Sequence, residues 1–484
     1  MIHLSKIIAS FLIKLVLVLL LISSTAVSGQ KRSTSVNISS NGKTTVSVKN
    51  GFGNNFSLEY KGEITLSDDD TDVISISDNG YMEIKKSAFG SRRRIFIEPD
   101  NSGHLIKKYY VGGSQKNFDS EGRKWLSEIL LEVVRTTTLG AEKRVNRIYK
   151  QGGSYKVLKE VGYMSSNHVK ARYIKLLLEK DLKDKDLISV LNTVGNDIDS
   201  DHHRASILKN NAKRFLTSDA ATSAYIKATG EIDSDHHKAE VLKKSIYNSD
   251  ISDTQMKVLF TIINDIDSDH HKASVLKEVL NRRKLNAENM KLLVNTSKNI
   301  DSDHHKASVL KKALSMNDLP ESVYNTLLSS IGNMDSDHHI ASVFSEILRN
   351  KMDESSLAYL LDLVGDTMDS DYHQANILKQ VAGKQNISDN ALDNYLAALR
   401  EIDSDAHQAS TFKELSRKDF ESPQLIKILS ATNNIDSDHH KAESLLSFAA
   451  KVRSSENDVK DAYTGACKYI SSSTHFGRTL KAIQ

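Results

Sequence analysis

The order of apolar and polar positions changes character three times along the chain. Residues 1 to 28 carry Lys6 and Lys14 and then an uncharged apolar run from Leu15 to Val27, followed by Ser28. Between Val36 and Val111 apolar and polar residues alternate in short runs, as in Phe56-Ser57-Leu58-Glu59-Tyr60 and Val73-Ile74-Ser75-Ile76, which predicts strands with one buried face. From about Asp119 the apolar residues return at spacings of three and four, and Trp125, Leu126, Ile129, Leu130 and Val133 describe one amphipathic helix.

Beyond that helix the pattern becomes periodic. With Met164, Ile198, Ile232, Ile266, Ile300, Met334, Met368, Ile402, Ile435 and Ile470 in register, seven steps are of 34 residues, one is of 33 and one of 35. A period of this length predicts a solenoid. Two residues after each register position stands a serine, from Ser166 and Ser200 to Ser437 and Ser472, placed to cap the amino end of a helix at on the order of 1 kcal/mol each. Seven residues after it stands alanine in nine copies and Gly477 in the tenth, so two helices should approach closely there. Within one unit Ala341, Phe344 and Leu348 share a stripe, as do Leu357, Leu360, Leu361 and Val364. Each unit therefore reads as a helical hairpin, and since neither helix can bury its stripe alone, neighbouring hairpins should stack into one continuous core.

The fold expected is an α-solenoid of about ten 34-residue hairpins behind a small all-β domain. Its divisions fall at residues 1–28 (signal peptide), 29–115 (a β domain of six to eight strands), 116–163 (helical connector and cap) and 164–484 (repeats). The apolar run is shorter than the roughly 20 residues a spanning helix needs, and Ala26-Val27-Ser28 suits a signal peptidase. Export to a periplasmic or extracellular location is the expectation. Contact with a membrane would come only through this segment, if it stays uncleaved as a tilted anchor from Ile7 to Val27. Within the β region Asn79-Gly80 signals a hairpin before Tyr81. Asp68, Asp70 and Asp72 alternate like calcium ligands, but Val73 and Asn79 occupy the glycine and glutamate places of an EF-hand, so a solvated hairpin tip is expected. Arg92-Arg93-Arg94 reads as the charge of an exposed edge strand.

The 34-residue period is that of tetratricopeptide repeats, yet their Trp, Leu-Gly, Tyr, Ala and Pro pattern is missing. In its hairpins the chain resembles HEAT-type arrays. As a whole it is similar to exported bacterial proteins that join a small β domain to repeats beginning Ser-Asp, proteins with no assigned activity. Some HEAT-like arrays hold two irons through His-Glu pairs; this sequence contains no His-Glu pair, so that chemistry is not implied.

Composition narrows the function. Of 484 residues 26% are charged, and removal of residues 1–28 takes the net charge from +3 to +1, too little to draw nucleic acid. One cysteine, Cys467, allows no internal disulfide and no CxxC pair. No GxSxG, P-loop, HExxH or GxGxxG occurs, so an enzyme is not expected.

What stands out is Ile-Asp-Ser-Asp-His-His, intact in five units, with 16 of the 18 histidines lying in this repeat motif. The second histidine persists where the first becomes Tyr372, Ala406 or Thr474. Adjacent residues on a helix point about 100° apart, so one pair alone is a poor chelate. Three readings stand side by side. The histidines pack and hydrogen-bond at the hairpin junction. Alternatively, Asp201, His203, Asp235, His237, Asp269, His271, Asp303, His305, His339 and His440 form a ladder between units that ligates zinc, copper or nickel. In the third, the same edge responds to pH, neighbouring aspartates favouring protonation and the helix amino end opposing it. The function expected is an exported, non-enzymatic scaffold that needs no cofactor and binds a protein partner through its repeats, with the metal-binding or pH-responsive edge as the alternative.

Overall fold

A computed structural model describes residues 33–38, 42–50, 54–88, 90–248, 250–316 and 319–484, so the expected signal peptide lies outside the described residues. Among the described residues no helix is long and apolar enough to cross a membrane. The chain divides into two compact units, Met1–Asp186 and Leu187–Gln484.

The first unit begins with nine strands: β1 (Ser33–Ile38), β2 (Lys43–Asn50), β3 (Asn54–Lys61), β4 (Ile64–Leu66), β5 (Val73–Ile76), β6 (Tyr81–Ala88), β7 (Ser91–Pro99), β8 (Leu105–Val111) and β9 (Ser114–Lys116). Seven form one antiparallel sheet in the order β1-β2-β3-β6-β7-β8-β9, and β4 and β5 pair as a separate ribbon. Alternation buries one face: Val46, Phe56, Leu58, Met82, Ile84, Ile95, Ile97 and Tyr109 pack on Trp125, Leu126, Ile129, Leu130 and Val133 of the helix Arg123–Thr136. Each such side chain contributes about 1.5–3 kcal/mol on burial. The helix expected to connect and cap the repeats thus spends its stripe on the sheet.

Three local expectations are corrected. Asn79-Gly80 does not close a hairpin, because β5 pairs with β4 and β6 with β3; it is a turn from the ribbon into the sheet, with Asn79 at φ 58°. Glycine is needed there because a Cβ at residue 80 would stand 2.6 Å from the Lys61 carbonyl oxygen. The arginine triplet lies on β7, between β6 and β8 and not at an edge. Arg94 pairs with Glu83 at 2.5 Å and stacks on Tyr110 at 4.8 Å. Asp70 is buried rather than solvated: its carboxylate meets Arg144 and Arg147, each at 2.7 Å. Arg144, on the helical stretch Ala141–Gly162, also holds Glu160 at 2.8 Å, and Glu160 meets Arg135 at 2.7 Å. This chain of charges ties the β4–β5 loop to the helices that follow.

The second unit is a stack of helical hairpins. First helices start at the repeated motif, as Asp235–Asn248, Asp269–Arg282, Asp303–Leu314, Asp337–Ile347 and Asp371–Lys384, and alternate with second helices such as Asp253–Asn264, Ala287–Lys298, Glu321–Ile331 and Glu354–Thr367. First helices pack on first helices and second on second. The register residues are buried, as are the alanines Ala205, Ala239, Ala273, Ala307, Ala341, Ala375, Ala409 and Ala442. The stripes read from Ala341 to Val364 are buried throughout, and one hydrophobic core runs from Ile226 to Ile470. Gly477, standing where the other copies have alanine, has no neighbour that a Cβ would touch.

Candidate functional site

The repeated motif lies where each first helix begins. Its serine sits at the N-cap with extended backbone, for example Ser268 at φ −69°, ψ 113°. The hydroxyls of Ser268, Ser404, Ser437 and Ser472 accept from the amide three residues on, at 3.4–3.5 Å, whereas those of Ser200, Ser302, Ser336 and Ser370 make no such bond. The serine cap is thus partial, and the capping work lies largely with the aspartate beside it.

That aspartate reaches forward one unit. Asp201 accepts from the Ser234 amide at 2.7 Å, Asp235 from Ser268 at 2.7 Å, Asp269 from Ser302 at 2.7 Å and Asp303 from Ser336 at 2.7 Å. Asp337, Asp371, Asp405 and Asp438 do the same to Ser370, Ser404, Ser437 and Ser472 at 2.6–2.9 Å. Most also accept from the amide just before that serine, as Asp303 does from Asp335 at 2.9 Å. These amides belong to a helix start with no intrahelical acceptor, so a carboxylate of one unit caps the next. Of the residues expected to ligate, Asp201, Asp235, Asp269 and Asp303 are therefore engaged as inter-unit clamps. Asp303→Ala is expected to cost about 2 kcal/mol, since it removes two hydrogen bonds to a charged acceptor. Urea unfolding followed by far-ultraviolet circular dichroism measures this, and a loss no larger than that of an exposed control would refute the clamp.

In several units the residue after the second histidine caps the opposite helix ends. Lys272, Lys306 and Lys441 are buried along their stems and donate to the carbonyls of Asn299, Asn333 and Tyr469 at 2.9, 3.2 and 3.0 Å. Gln374 and Gln408 donate instead to Met368 and Ile402, each at 2.5 Å. A donor at these carboxyl-terminal carbonyls suits the helix dipole, and the sequence reading missed it. The available signal was a long polar-tipped residue directly before the buried alanine.

The histidines form a zigzag of ring contacts from His202 to His407, which resumes at His439. The first of each pair is exposed and the second half-buried. Within a unit the rings lie 5.2–5.4 Å apart from His202–His203 to His338–His339, and between units His202–His237, His236–His271, His270–His305, His304–His339 and His338–His373 lie 5.5–6.0 Å apart. Tyr372 carries the ring contacts on to His407, Ala406 interrupts them, and His439 meets both His440 and His475 at 5.0 and 5.5 Å. All of the predicted histidines in the second unit thus stand in this zigzag. Glu240, which the sequence reading passed over, lies on the same helix face. Ligand atoms of His236, His237 and Glu240 all fall within 4.8 Å of one another.

Three of the inner rings are shifted toward the neutral form. Burial, the neighbouring His270 and His236 imidazoles and Lys243 push His271 below the ordinary 6.5, against an opposing pull from Asp235; His305 and His339 are lowered in the same way. The unfolded chain then binds these protons first, so stability contributed here is present above the unfolded value and falls as pH drops through it toward the lower folded value. The melting temperature at about pH 5.5 should lie below that at about pH 7.5, with a smaller difference in the H271Q/H305Q/H339Q variant. An equal difference in both proteins would exclude the ladder as its source.

Two further places bear on chemistry. Cys467 is buried, and burial pushes its thiol up to about 11, which leaves little nucleophilic thiolate. In the first unit a concavity of about 490 Å³ is lined by Lys49, Lys85, Lys86, Arg92, Arg93 and Arg94 around Tyr110. Lys85 and Arg94 pair with Glu83 and Lys86 pairs with Glu132, while Lys49, Arg92 and Arg93 have no ion partner among the described residues.

No known family model and no curated protein matches the sequence. Among solved structures, the chain is similar to a homology model of the full-length AP-3 complex in an intermediate open conformation, with a TM-score of 0.28, 10% identity, and coverage of 75% of this chain and 90% of that one. It is also similar to the Chs5-Bch1 exomer cargo adaptor complex, with a TM-score of 0.17, 11% identity, and coverage of 83% and 79%. Likeness at this level says nothing of function, and the fold rests on the helices described above.

Proposed function

We propose that the protein is an exported, non-enzymatic scaffold that holds another protein on the surface of its repeats, with the basic concavity of the strand region as a second contact. One observation carries the reading. The register aliphatics and helix stripes of the repeats are consumed by their own core, while an aspartate and, in most units, a histidine stay exposed at each step along one edge, as Asp233 and His236, Asp267 and His270, and Asp301 and His304 do. A surface that repeats at every step suits an extended partner.

A photo-crosslinker at Tyr372, 62% exposed on that edge, tests the reading in secreted or periplasmic material. A discrete adduct that excess unlabelled full-length chain competes away is expected. No competable adduct from there, or from Tyr110 in the concavity, would overturn the scaffold. Export is tested separately by sequencing the amino terminus of the native protein, which should begin near Gly29.

A further inference from the structure

The zigzag of imidazoles has the spacing of a ligand set. Two imidazoles on one tetrahedral ion, at metal–nitrogen distances of about 2.0–2.1 Å, have ring centres about 5 Å apart, and on a linear ion about 6 Å apart. The rungs span this interval, from 5.0 Å at His439–His440 to 6.0 Å at His202–His237. Among the described residues the buried Nδ1 of His475 has no hydrogen-bond partner in the protein. A buried nitrogen without a partner is costly in a purely structural junction and is what a bound cation would satisfy.

One rung is richer than the others. His236, His237 and Glu240 converge, and His271 and His202 flank them at 5.5 and 6.0 Å from His236 and His237. Nitrogen with one carboxylate suits zinc, copper and nickel rather than magnesium or calcium. Lys209 opposes an ion there, because it holds the Glu240 carboxylate at 2.6 Å. The clamp aspartates lie beside the ladder and lend it negative charge without leaving their amides.

We propose that the histidine ladder of the second unit binds several divalent cations of the zinc, copper and nickel class, most tightly at His236, His237 and Glu240.

The experiment uses purified, tag-free full-length chain and zinc alone, in equilibrium dialysis at neutral pH, with metal counted per chain. A parallel copper sample is read by electron paramagnetic resonance for nitrogen hyperfine structure. More than one zinc per chain and a multi-nitrogen copper signal are expected. H236Q/H237Q/E240Q should remove the tightest class and leave weaker sites, and K209M should tighten that class several-fold. H202Q/H236Q/H270Q/H304Q/H338Q should fall to one zinc or fewer, at His439 and His475. These first histidines are exposed, and the chain itself carries Tyr372, Ala406 and Thr474 in their place, so the variant keeps its fold. Binding of one zinc or fewer by the unaltered chain, or equal uptake by the five-fold variant, would overturn the proposal. Because no partner is present, neither result bears on the scaffold.

Discussion

Replacing Arg144 by methionine is expected to destabilise the first unit by about 3 kcal/mol, the low end of the 3–5 kcal/mol typical of a broken buried ion pair. The guanidinium lies between Asp70 and Glu160, and its loss strands neither completely, since Asp70 keeps Arg147 and Glu160 keeps Arg135. The single tryptophan, Trp125, sits in the sheet–helix core of the same unit, so its fluorescence in urea reports this unit and not the repeats. A companion D70N change should deepen the loss, because it breaks the pair that Asp70 keeps with Arg147. A shift under about 1 kcal/mol would mean that the network decorates the interface without holding it. The network also sets an acid response. Burial raises the Glu160 carboxyl, but the hydrogen bonds from Arg135 and Arg144 more than reverse this and hold it below its ordinary value. Its contribution is therefore present above about pH 4.3 and is lost as pH falls through the lower folded value, a dependence that R144M should flatten.

In the second unit the largest loss is expected from Phe344→Ala. Phe344 is fully buried in the continuous core, and removing its ring costs about 3–5 kcal/mol according to how far the neighbours close the cavity. Because each hairpin leans only on its neighbours, the damage should stay local. Amide exchange should lose protection in the helices Asp337–Ile347 and Glu354–Thr367 and in those stacked directly on them, with less change toward Ile470. Tyr372→Ala, which removes an exposed ring from the ladder, should stay within about 0.5 kcal/mol. A uniform loss of protection along the unit would show that it unfolds as one body.

The hairpins were legible because burial imposes a period on the chain: the register aliphatics, the alanine seven residues later and both stripes of the unit around Phe344 all follow from apolar spacing. The clamps were not legible. Asp303 is bound to backbone amides 32 and 33 residues away, and an amide carries no side-chain signature, so the motif suggested a ligand where the fold uses a cap. The same blindness affected Asp70, whose partners Arg144 and Arg147 lie more than 70 residues on, and the arginines of β7, whose place within the sheet depends on which strands pair. Histidine spacing along one helix argued only against a single pair as a chelate; the ladder between units was read from the period, and what the spacing missed was Glu240 one turn further along.

The clamp also bears on how such a chain can change over generations. Each unit carries the acceptor for the unit after it and the donors for the unit before it. A gene that gains or loses one whole period by unequal exchange between its copies therefore encodes a protein with every remaining joint intact. The 33-residue step from Ile402 to Ile435 shows the tolerance of this arrangement, since Asp405 still reaches the Asp436 and Ser437 amides at 3.0 and 2.8 Å. The number of rungs is thus a quantity that selection can adjust in single steps without inventing a new interface.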